Sequence, residues 1–177
     1  MSAVEEHRDT RSDKGLTAPW QALVERVVVE YREALKDDLV AVACFGSVAR
    51  GKPSADSDLD LYVVTRNEVA ILGDRRLGAM GCIRETPEYQ AIVCQGYRPD
   101  LMPIFHSTAR LATHPWILLD IADHGVILYD PEGTLGGELD TVRQRLHELG
   151  SQRIERPDGS WYWDLKPDWR PEEVFSL

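Results

Sequence analysis

Two short apolar segments joined by a polar loop constrain the fold of this chain more than any other feature. The first segment, Leu39–Phe45, is apolar throughout and ends at Gly46 and Ser47. The second segment, Asp58–Thr65, begins with two carboxylates and is otherwise apolar up to its last residue. Short apolar runs bounded by turn residues are typical of buried β-strands. The sequence therefore predicts a strand, a polar loop and a second strand over residues 39–65.

Helices are predicted on both sides of this strand–loop–strand unit. After Thr17, a candidate N-cap followed by Pro19, apolar residues recur at spacings of three and four up to Leu35, which predicts an amphipathic helix. The remaining predicted elements are a loosely defined helix within residues 67–90, a strand within Ala91–Phe105, a helix around residues 107–123, a strand at Val126–Tyr129 and a helix from Leu135 to Leu149. Pro103 predicts that its strand is an edge strand or carries a bulge, because proline lacks the N–H that a central strand needs.

The last part of the chain differs in composition from the rest. Three of the five tryptophans, Trp161, Trp163 and Trp169, lie close together there. The segment Arg156–Gly159 is typical of a turn between two short strands. Trp161 and Trp163 would then share one face of the second strand, where we expect them to cover the core. The sequence therefore predicts a C-terminal β-hairpin.

One domain accounts for the length of the chain. A chain of 177 residues is close to the usual length of about 150 residues for one domain, and its 43% hydrophobic residues are typical of a globular protein. Residues 1–16 are charged and lack periodicity, which predicts a flexible N-terminal arm. Residues 17–177 are predicted to form one α/β domain, with a core at residues 17–130 and a C-terminal extension of a helix and a hairpin at residues 131–177.

The charge of the chain is strongly negative. It has 20 Lys and Arg against 30 Asp and Glu, a formal net charge of −10. Nonspecific binding to nucleic acid needs a basic surface, and so does attraction to an anionic membrane. No apolar run approaches the ~18 residues that a membrane span needs. Nucleic acid and membrane partners are therefore not expected.

The cysteines and the N-terminal segment indicate the cellular compartment of the protein. Cys44, Cys82 and Cys94 form an odd set without a C-x-x-C spacing. Each lies among apolar residues, which predicts buried and reduced thiols. The N-terminal segment is polar and lacks the apolar region of a signal peptide. These features predict a cytoplasmic protein.

The residues with the clearest chemistry lie around the loop between the two predicted strands. Asp58 and Asp60 are two apart on a strand, so both carboxylates project from one face. Such a pair is tolerated when a divalent cation lies between the carboxylates, and Mg²⁺ favours one or two carboxylates together with substrate phosphates. Gly46 allows a ligand to approach the backbone, and Ser47 with the free N–H groups of a following helix would bind an anion. Together these features predict a phosphoryl- or nucleotidyl-transfer site.

The spacing of these residues resembles a known signature. Gly46-Ser47, a gap of ten residues, and Asp58-x-Asp60 resemble the signature of the DNA polymerase β-like nucleotidyltransferase superfamily, in particular its minimal nucleotidyltransferase (MNT) group. The resemblance implies a mixed β-sheet flanked by helices. It implies that Gly46 and Ser47 hold the triphosphate of an NTP, expected to be ATP. It also implies that Asp58 and Asp60 hold Mg²⁺ or Mn²⁺ while NMP is transferred to an acceptor.

The family also uses a third carboxylate, and Asp100 is its best match in this chain. In the family an uninterrupted apolar strand follows this acid, whereas Pro103 interrupts the segment here. The alternative interpretation of Asp100 is a surface aspartate at the start of a strand. Arg50 and Lys52 lie between the two halves of the motif, where they either contact the triphosphate or are solvated cations.

Three functions stay open at this point. The first is an active enzyme that transfers NMP to a hydroxyl of a small-molecule or protein acceptor. The second follows from the resemblance, because MNT proteins are often paired with a separate helical HEPN toxin that they bind or AMPylate as antitoxins. The third is a nucleotide-binding relic without transferase activity, which the irregular segment after Asp100 suggests.

Overall fold

The structure, a computed structural model, describes residues 16–68, 73–158 and 160–175. The predicted N-terminal arm lies outside the described residues except for Leu16. The helices are α1 (Ala18–Leu35), a 3-10 turn (Lys36–Asp38), α2 (Gly46–Ala49), α3 (Arg75–Arg84), α4 (Pro87–Cys94), α5 (Thr108–Leu111), α6 (Ile117–His124) and α7 (Thr134–Glu148). The strands are β1 (Leu39–Phe45), β2 (Leu59–Thr65), β3 (Leu101–Ser107), β4 (Val126–Tyr129), β5 (Gln152–Glu155) and β6 (Trp161–Asp164). None of the described helices is both long and apolar enough to span a membrane.

Four strands form one mixed sheet in the order β3-β2-β1-β4. β1 is antiparallel to both β2 and β4, whereas β2 and β3 are parallel. β1 and β2 are the central strands, and all of their residues except Asp60 are buried because both faces of the sheet are covered. β3 is an edge strand, as Pro103 predicts, and Pro103 lies opposite Leu61 in register. The predicted mixed sheet flanked by helices is therefore confirmed.

Helices cover both faces of the sheet and create two apolar clusters. α1 packs with α3 and α4 on one face, forming the α1 cluster. The buried residues of α1 include those predicted from the helical spacing, namely Trp20, Leu23, Val27, Tyr31 and Leu35. α6 and α7 pack on the other face and form the α6–α7 cluster. Side chains of β1 alternate between the two, with Val42 in the α1 cluster and Ala43 in the α6–α7 cluster.

Two predicted elements are subdivided in the structure. The strand predicted within Ala91–Phe105 begins only at Leu101, because the apolar residues before it belong to α4. Thr86 begins that helix, since its side-chain oxygen accepts a hydrogen bond from the first turn and a proline follows it. The helix predicted around residues 107–123 is two helices, α5 and α6. They are separated at His114, whose φ of 45° lies in the left-handed region that helices avoid.

The C-terminal extension contains the predicted helix, α7, and the predicted hairpin of β5 and β6. The two strands are antiparallel, with Arg153 opposite Trp163. Trp163 packs against the α6–α7 cluster, which confirms that it covers the core. Trp161 is partly exposed, and the Arg153 guanidinium lies over its ring at 4.7 Å from the centroid. The hairpin is therefore attached to the same face of the sheet as α6.

The prediction of three buried cysteines is wrong for two of them. All three are free thiols, but only Cys44, in β1, is buried, whereas Cys82 and Cys94 are exposed. Cys82 and Cys94 lie on α3 and α4, whose buried positions are taken by other residues such as Ile83 and Ile92. A cysteine within an apolar segment is buried when the segment forms a strand that is covered on both faces. When the segment forms an amphipathic helix, the cysteine can lie on the exposed face of that helix.

Candidate active site

The turn from β1 into α2 brings the backbone against a carboxylate of the neighbouring strand. Phe45 ends β1 opposite Asp60 in register, and Gly46 follows with a φ of 74°. A Cβ at Gly46 would overlap Oδ2 of Asp60 and lie 2.9 Å from its Cγ. Only glycine meets both demands, because it tolerates the left-handed conformation and has no side chain to collide with the carboxylate. Gly46 therefore allows Asp60 to lie directly against the start of α2.

Asp58 and Asp60 form a close carboxylate pair at this end of the sheet. Asp60 is half-buried in β2, while Asp58 is exposed just before the strand begins. The intervening Leu59 is buried in the α1 cluster, as expected for alternating side chains. Burial raises the pKa of Asp60, the charge of Asp58 raises it further, and the charge of Arg50 lowers it in part. The negative charge of the two carboxylates is thus only partly compensated. Their oxygens are the ligands that a hard divalent cation prefers.

The loop between the two motif halves folds back onto α2 through serine hydroxyls. Ser47 Oγ donates a hydrogen bond to Ser57 Oγ at 3.0 Å, and the Ser54 N–H donates to the same oxygen at 2.8 Å. The Lys52 N–H donates to the Ser47 carbonyl at 3.0 Å. Ser57 is buried and was not expected from the sequence, where only its position directly before the carboxylate pair marks it. Ser57 therefore holds the Ser47 hydroxyl beside the first turn of α2.

The N-terminus of α2 has donors for an anion, although the helix is short. The first N–H groups of a helix have no intrahelical partner, and they lie here beside the Ser47 hydroxyl. A helix of 4 residues has little dipole of its own, so anion binding would depend on individual donors. The side chains of Arg50 and Lys52 are both exposed close by, at the end of α2 and in the loop that follows.

Asp100 lies at the same end of the sheet but its carboxylate points elsewhere. Its carbonyl accepts a hydrogen bond from the Leu59 N–H at 2.8 Å, which places its backbone beside the start of β2. Its side chain is 73% exposed and forms an ion pair with Arg84 at 3.5 Å. Across the described residues, no group of three or more histidine, cysteine or acidic side chains is close enough to hold a metal ion. The structure thus joins Asp58 and Asp60 and leaves the Asp100 carboxylate with a surface cation.

Asp120 is a carboxylate of this region that the sequence did not reveal. It lies half-buried on α6, which packs against α2. Burial raises its pKa, Asp123 adds to this, and Arg50 and the Trp163 indole lower it in part. No local pattern in the sequence connects Asp120 with the motif, because α6 and α2 meet only through tertiary packing.

The assembled site combines two kinds of chemistry. Paired carboxylates offer oxygen ligands for a divalent cation, while the Ser47 hydroxyl, free N–H groups and exposed basic side chains offer donors for an anion. A ligand that consists of a polyphosphate with a bound metal ion requires both the cation ligands and the anion donors. The fold and the site thus define a class of proteins that handle nucleotides or other phosphorylated compounds.

Comparison with known families identifies that class more closely. Residues 28–130 match the family described as Nucleotidyltransferase domain (NTP_transf_2). The match covers more than half of the chain and extends from α1 through β4, so it contains the whole motif and Asp100. The chain therefore belongs to the nucleotidyltransferase domain family.

Solved structures of toxin–antitoxin systems are also similar, at a low level. A toxin–antitoxin crystal structure with AMP-PNP is 13% identical, with a TM-score of 0.42, and the alignment covers 71% of this chain and 92% of that chain. A tri-AMPylated HEPN toxin in complex with an MNT antitoxin, from Shewanella oneidensis, is 13% identical with a TM-score of 0.39, covering 73% and 92%. A comparison with curated proteins gives no significant match. Similarity of this size does not define a function for this chain.

Proposed function

We propose that this protein is a metal-dependent nucleotidyltransferase that transfers NMP from an NTP, with ATP preferred, to a hydroxyl of a small-molecule or protein acceptor. The acceptor oxygen bonds to the α-phosphorus, the α–β anhydride bond breaks, and pyrophosphate leaves. The observation that carries the proposal is the Asp58–Asp60 pair, with Asp60 held against Gly46 at the start of α2. The family match supports the same class of reaction.

Asp58 and Asp60 are the residues that would hold Mg²⁺ or Mn²⁺. Their fit to a divalent cation rests on the donor set of two carboxylates. Burial and then the charge of Asp58 raise the pKa of Asp60, and a bound cation would offset both effects. When bound, the cation would neutralise charge on the triphosphate and stabilise the attacking and leaving oxygens. Asp100 completes the set in this proposal, since its backbone lies beside the start of β2 and its exposed carboxylate needs only to leave Arg84. Asp100 would also receive the proton of the acceptor hydroxyl.

The triphosphate would bind at the start of α2. In the described structure Ser47 Oγ donates a hydrogen bond to Ser57 Oγ. A serine hydroxyl has one proton, so Ser47 would give up this hydrogen bond in order to donate to a phosphate. Gly46 would hold the phosphate through its backbone, because the Asp60 carboxylate occupies the space that a side chain at Gly46 would take. The cations of Arg50 and Lys52 would neutralise the remaining phosphate charge from the solvent side.

The negative charge of the chain disfavours a nucleic acid as the acceptor of the NMP group. With a net charge of −10, a long nucleic acid acceptor would be repelled, so a small molecule or a protein hydroxyl is the preferred acceptor. We place the reaction in the cytoplasm, in a domain over residues 17–177.

Two other candidate functions follow from specific observations. The resemblance of the motif to MNT proteins favours an antitoxin that binds or AMPylates a separate HEPN toxin. The ion pair of Asp100 with Arg84 favours a relic that binds nucleotide without transferring it. Pyrophosphate release separates the relic from the enzyme and from an antitoxin that AMPylates its toxin. Binding or modification of a HEPN partner identifies an antitoxin.

The experiment that tests the proposal is a screen of the four NTPs with Mg²⁺ or Mn²⁺ against a panel of acceptors, with pyrophosphate release as the readout. The double variant Asp58→Asn/Asp60→Asn should lose turnover by about 10³-fold, because several kcal/mol of transition-state stabilisation depend on the metal. The matched control is Asp140→Asn, which removes one exposed carboxylate on α7 and should leave turnover unchanged. Metal-dependent turnover that survives in the double variant would overturn the proposal.

A further inference from the structure

One strand of the main sheet is open to ligands on the face where α6 and α7 pack. Those two helices pack against β1, whereas β3 at the edge is buried only at its two end residues. Met102 is 51% exposed although it lies within a strand, and Ile104 and His106 are partly exposed. Alternate residues of a strand share one side, so these three form a continuous strip, here called the β3 face.

The β3 face begins beside the Asp60 carboxylate. Tyr62 belongs to the α6–α7 cluster and Ile104 packs against it, so both side chains lie on the same side of the sheet. Asp60 alternates with Tyr62 on β2 and therefore shares that side. In register Asp60 lies opposite Met102, and neighbouring strands are about 4.8 Å apart. The strip thus extends from the proposed metal position along β3.

His106 lies at the far end of the β3 face and is held by Tyr62. The Tyr62 hydroxyl is 3.1 Å from Nδ1 of His106, and the two rings meet edge to face at 5.5 Å between centroids. Tyr62 is fully buried, so its hydroxyl proton needs an acceptor. Burial also raises the pKa of Tyr62, which keeps the phenol protonated. The Tyr62 hydroxyl therefore donates to Nδ1.

This hydrogen bond decides where the imidazole carries its own proton. Burial and then the charge of Arg110 lower the pKa of His106, with Glu68 opposing them, so the ring is neutral at pH 7. A neutral imidazole has one donor and one acceptor nitrogen. Since Nδ1 accepts from Tyr62, Nε2 carries the proton. His106 therefore offers one hydrogen-bond donor to a ligand on the β3 face.

The charges around His106 give no strong preference of sign. The Glu68 carboxylate accepts a hydrogen bond from Ser107 Oγ at 2.6 Å, and the Arg110 guanidinium donates to Thr113 Oγ1 at 3.3 Å. One acidic and one basic side chain thus accompany a neutral ring. Recognition at this end would depend on the Nε2 donor, which needs an oxygen acceptor on the ligand.

The dimensions of the β3 face suit a small molecule. Met102 and His106 are four residues apart, which corresponds to about 13 Å along a strand. The strip is one strand wide. Pro103 lies within it and has no N–H, so it interrupts the hydrogen-bond ladder that an added peptide strand would need at this edge.

We propose that the β3 face binds the acceptor of the NMP group, and that this acceptor is a small molecule with a hydroxyl, an apolar body and a carbonyl or carboxylate oxygen about 13 Å from that hydroxyl. The hydroxyl would lie beside Asp60 and Asp100, which directly precedes β3. The apolar body would cover Met102 and Ile104, and the distant oxygen would accept from Nε2 of His106. This inference rests on the proposed function and names the substrate class of the same site.

The test measures pyrophosphate release by the full chain with Mg²⁺–ATP and three probe acceptors. 10-Hydroxydecanoate and its methyl ester are long enough to reach His106, whereas 4-hydroxybutanoate is too short. The KM for a long probe should be at least about ten-fold lower than that for the short one, because it gains a hydrogen bond and buries apolar surface. A preference for either long probe supports the proposal, and comparison of the two identifies a carboxylate or a carbonyl as the end group. Equal KM values for long and short probes would overturn it.

Two variants test the residues of the β3 face. His106→Asn keeps an oxygen that can accept from Tyr62 but has no group at the position of Nε2. It should raise the KM for 10-hydroxydecanoate about ten-fold more than the KM for 4-hydroxybutanoate. Met102→Gln should act in the same direction, whereas Met102→Leu, which stays apolar, should not. The control His147→Gln replaces an exposed histidine on α7 and should leave the ratio of KM values unchanged.

A binding measurement separates this inference from the proposed function. The ring signals of His106 in NMR spectra should shift when 10-hydroxydecanoate is added with Mg²⁺ and a non-hydrolysable ATP analogue, while those of His147 should not. If His106 shifts but no acceptor supports pyrophosphate release, the proposed function fails and the β3 face remains a binding site for this class of compound. If pyrophosphate is released but His106 does not shift, the proposed function stands and the role of the β3 face is overturned. Equal effects of His106→Asn on long and short probes would also overturn that role.

Discussion

Asp60 lies on β2 and Asp100 lies directly before the neighbouring parallel strand β3, at the same end of the sheet, and they are held in opposite ways. Asp60 is half-buried and lies against the backbone at Gly46, which leaves its carboxylate almost no freedom. Asp100 is 73% exposed, and its contact is an ion pair with Arg84 at 3.5 Å. Exposed ion pairs contribute about 0–1 kcal/mol, so this one exchanges readily for another partner. The difference shows that burial restrains one carboxylate of the proposed metal site while the other can still change its partner.

The largest expected effect concerns the close approach that fixes Asp60. Gly46→Ala should lower the free energy of unfolding by about 3 kcal/mol, because the left-handed backbone and the overlap with the Asp60 carboxylate both oppose a Cβ. Gly96→Ala is the matched control, since Gly96 has a φ of 90° but open space around it. The control should lose only about 1–2 kcal/mol. If chemical denaturation gives the same loss in the free energy of unfolding for Gly46→Ala and Gly96→Ala, the contact with Asp60 does not contribute to stability.

The next effect concerns the adjustable carboxylate. Asp100→Asn should reduce turnover by at least about a hundred-fold while leaving the thermal unfolding midpoint nearly unchanged, because its side chain is exposed. Arg84→Gln removes the surface partner of Asp100 and should not reduce turnover. Steady-state pyrophosphate release and a melting curve measure the two quantities. Full activity in Asp100→Asn would assign Asp100 to the surface and leave the pair on β2 as the only carboxylates of the site.

The smallest effect is a gain in stability at the fixed carboxylate. Because burial and then Asp58 raise the pKa of Asp60 above 3.8, the ionised form destabilises the folded protein. This cost is absent below the usual pKa of 3.8, grows as pH rises from 3.8 to the raised pKa, and is complete above the raised pKa. Asp60→Asn should therefore raise the unfolding midpoint of the metal-free protein at pH 7 by a few degrees, about 2–4 °C per kcal/mol, and have no such effect near pH 3. If the unfolding midpoint of Asp60→Asn is lower than that of the wild-type protein at pH 7, the ionised Asp60 does not destabilise the fold and the prediction is wrong.

Metal provides a companion measurement for the same variant. Excess Mg²⁺ with nucleotide should stabilise the wild-type protein by about 3 kcal/mol when the ligand is at a hundred times its dissociation constant. Asp60→Asn should lose this gain, because the metal ligand is missing. Asp60→Asn would then be more stable than the wild-type protein without ligand and less stable than it with Mg²⁺ and nucleotide. An aspartate with only a structural role would not produce this reversal.

Most of the fold could be predicted because its signals are local. The apolar run Leu39–Phe45 and the helical spacing up to Leu35 each indicate their own structure, and Pro103 indicates an edge strand. The errors arose where a local pattern is ambiguous. Residues 91–94 are apolar but belong to α4. The segment around residues 107–123 contains Pro115, which indicates a boundary between the two helices that its apolar spacing does not reveal.

What the sequence by itself determined was the motif, with Gly46, Ser47, Asp58 and Asp60 at the ends of two strands. Strand periodicity and spacing are enough to place both carboxylates on one face. Only the tertiary structure decided that the Asp60 carboxylate lies against Gly46, that Asp100 faces Arg84, and that α6 packs against α2. The physical reason is that these contacts join elements far apart in sequence. They depend on how strands pair and helices pack, which no pattern within one segment encodes.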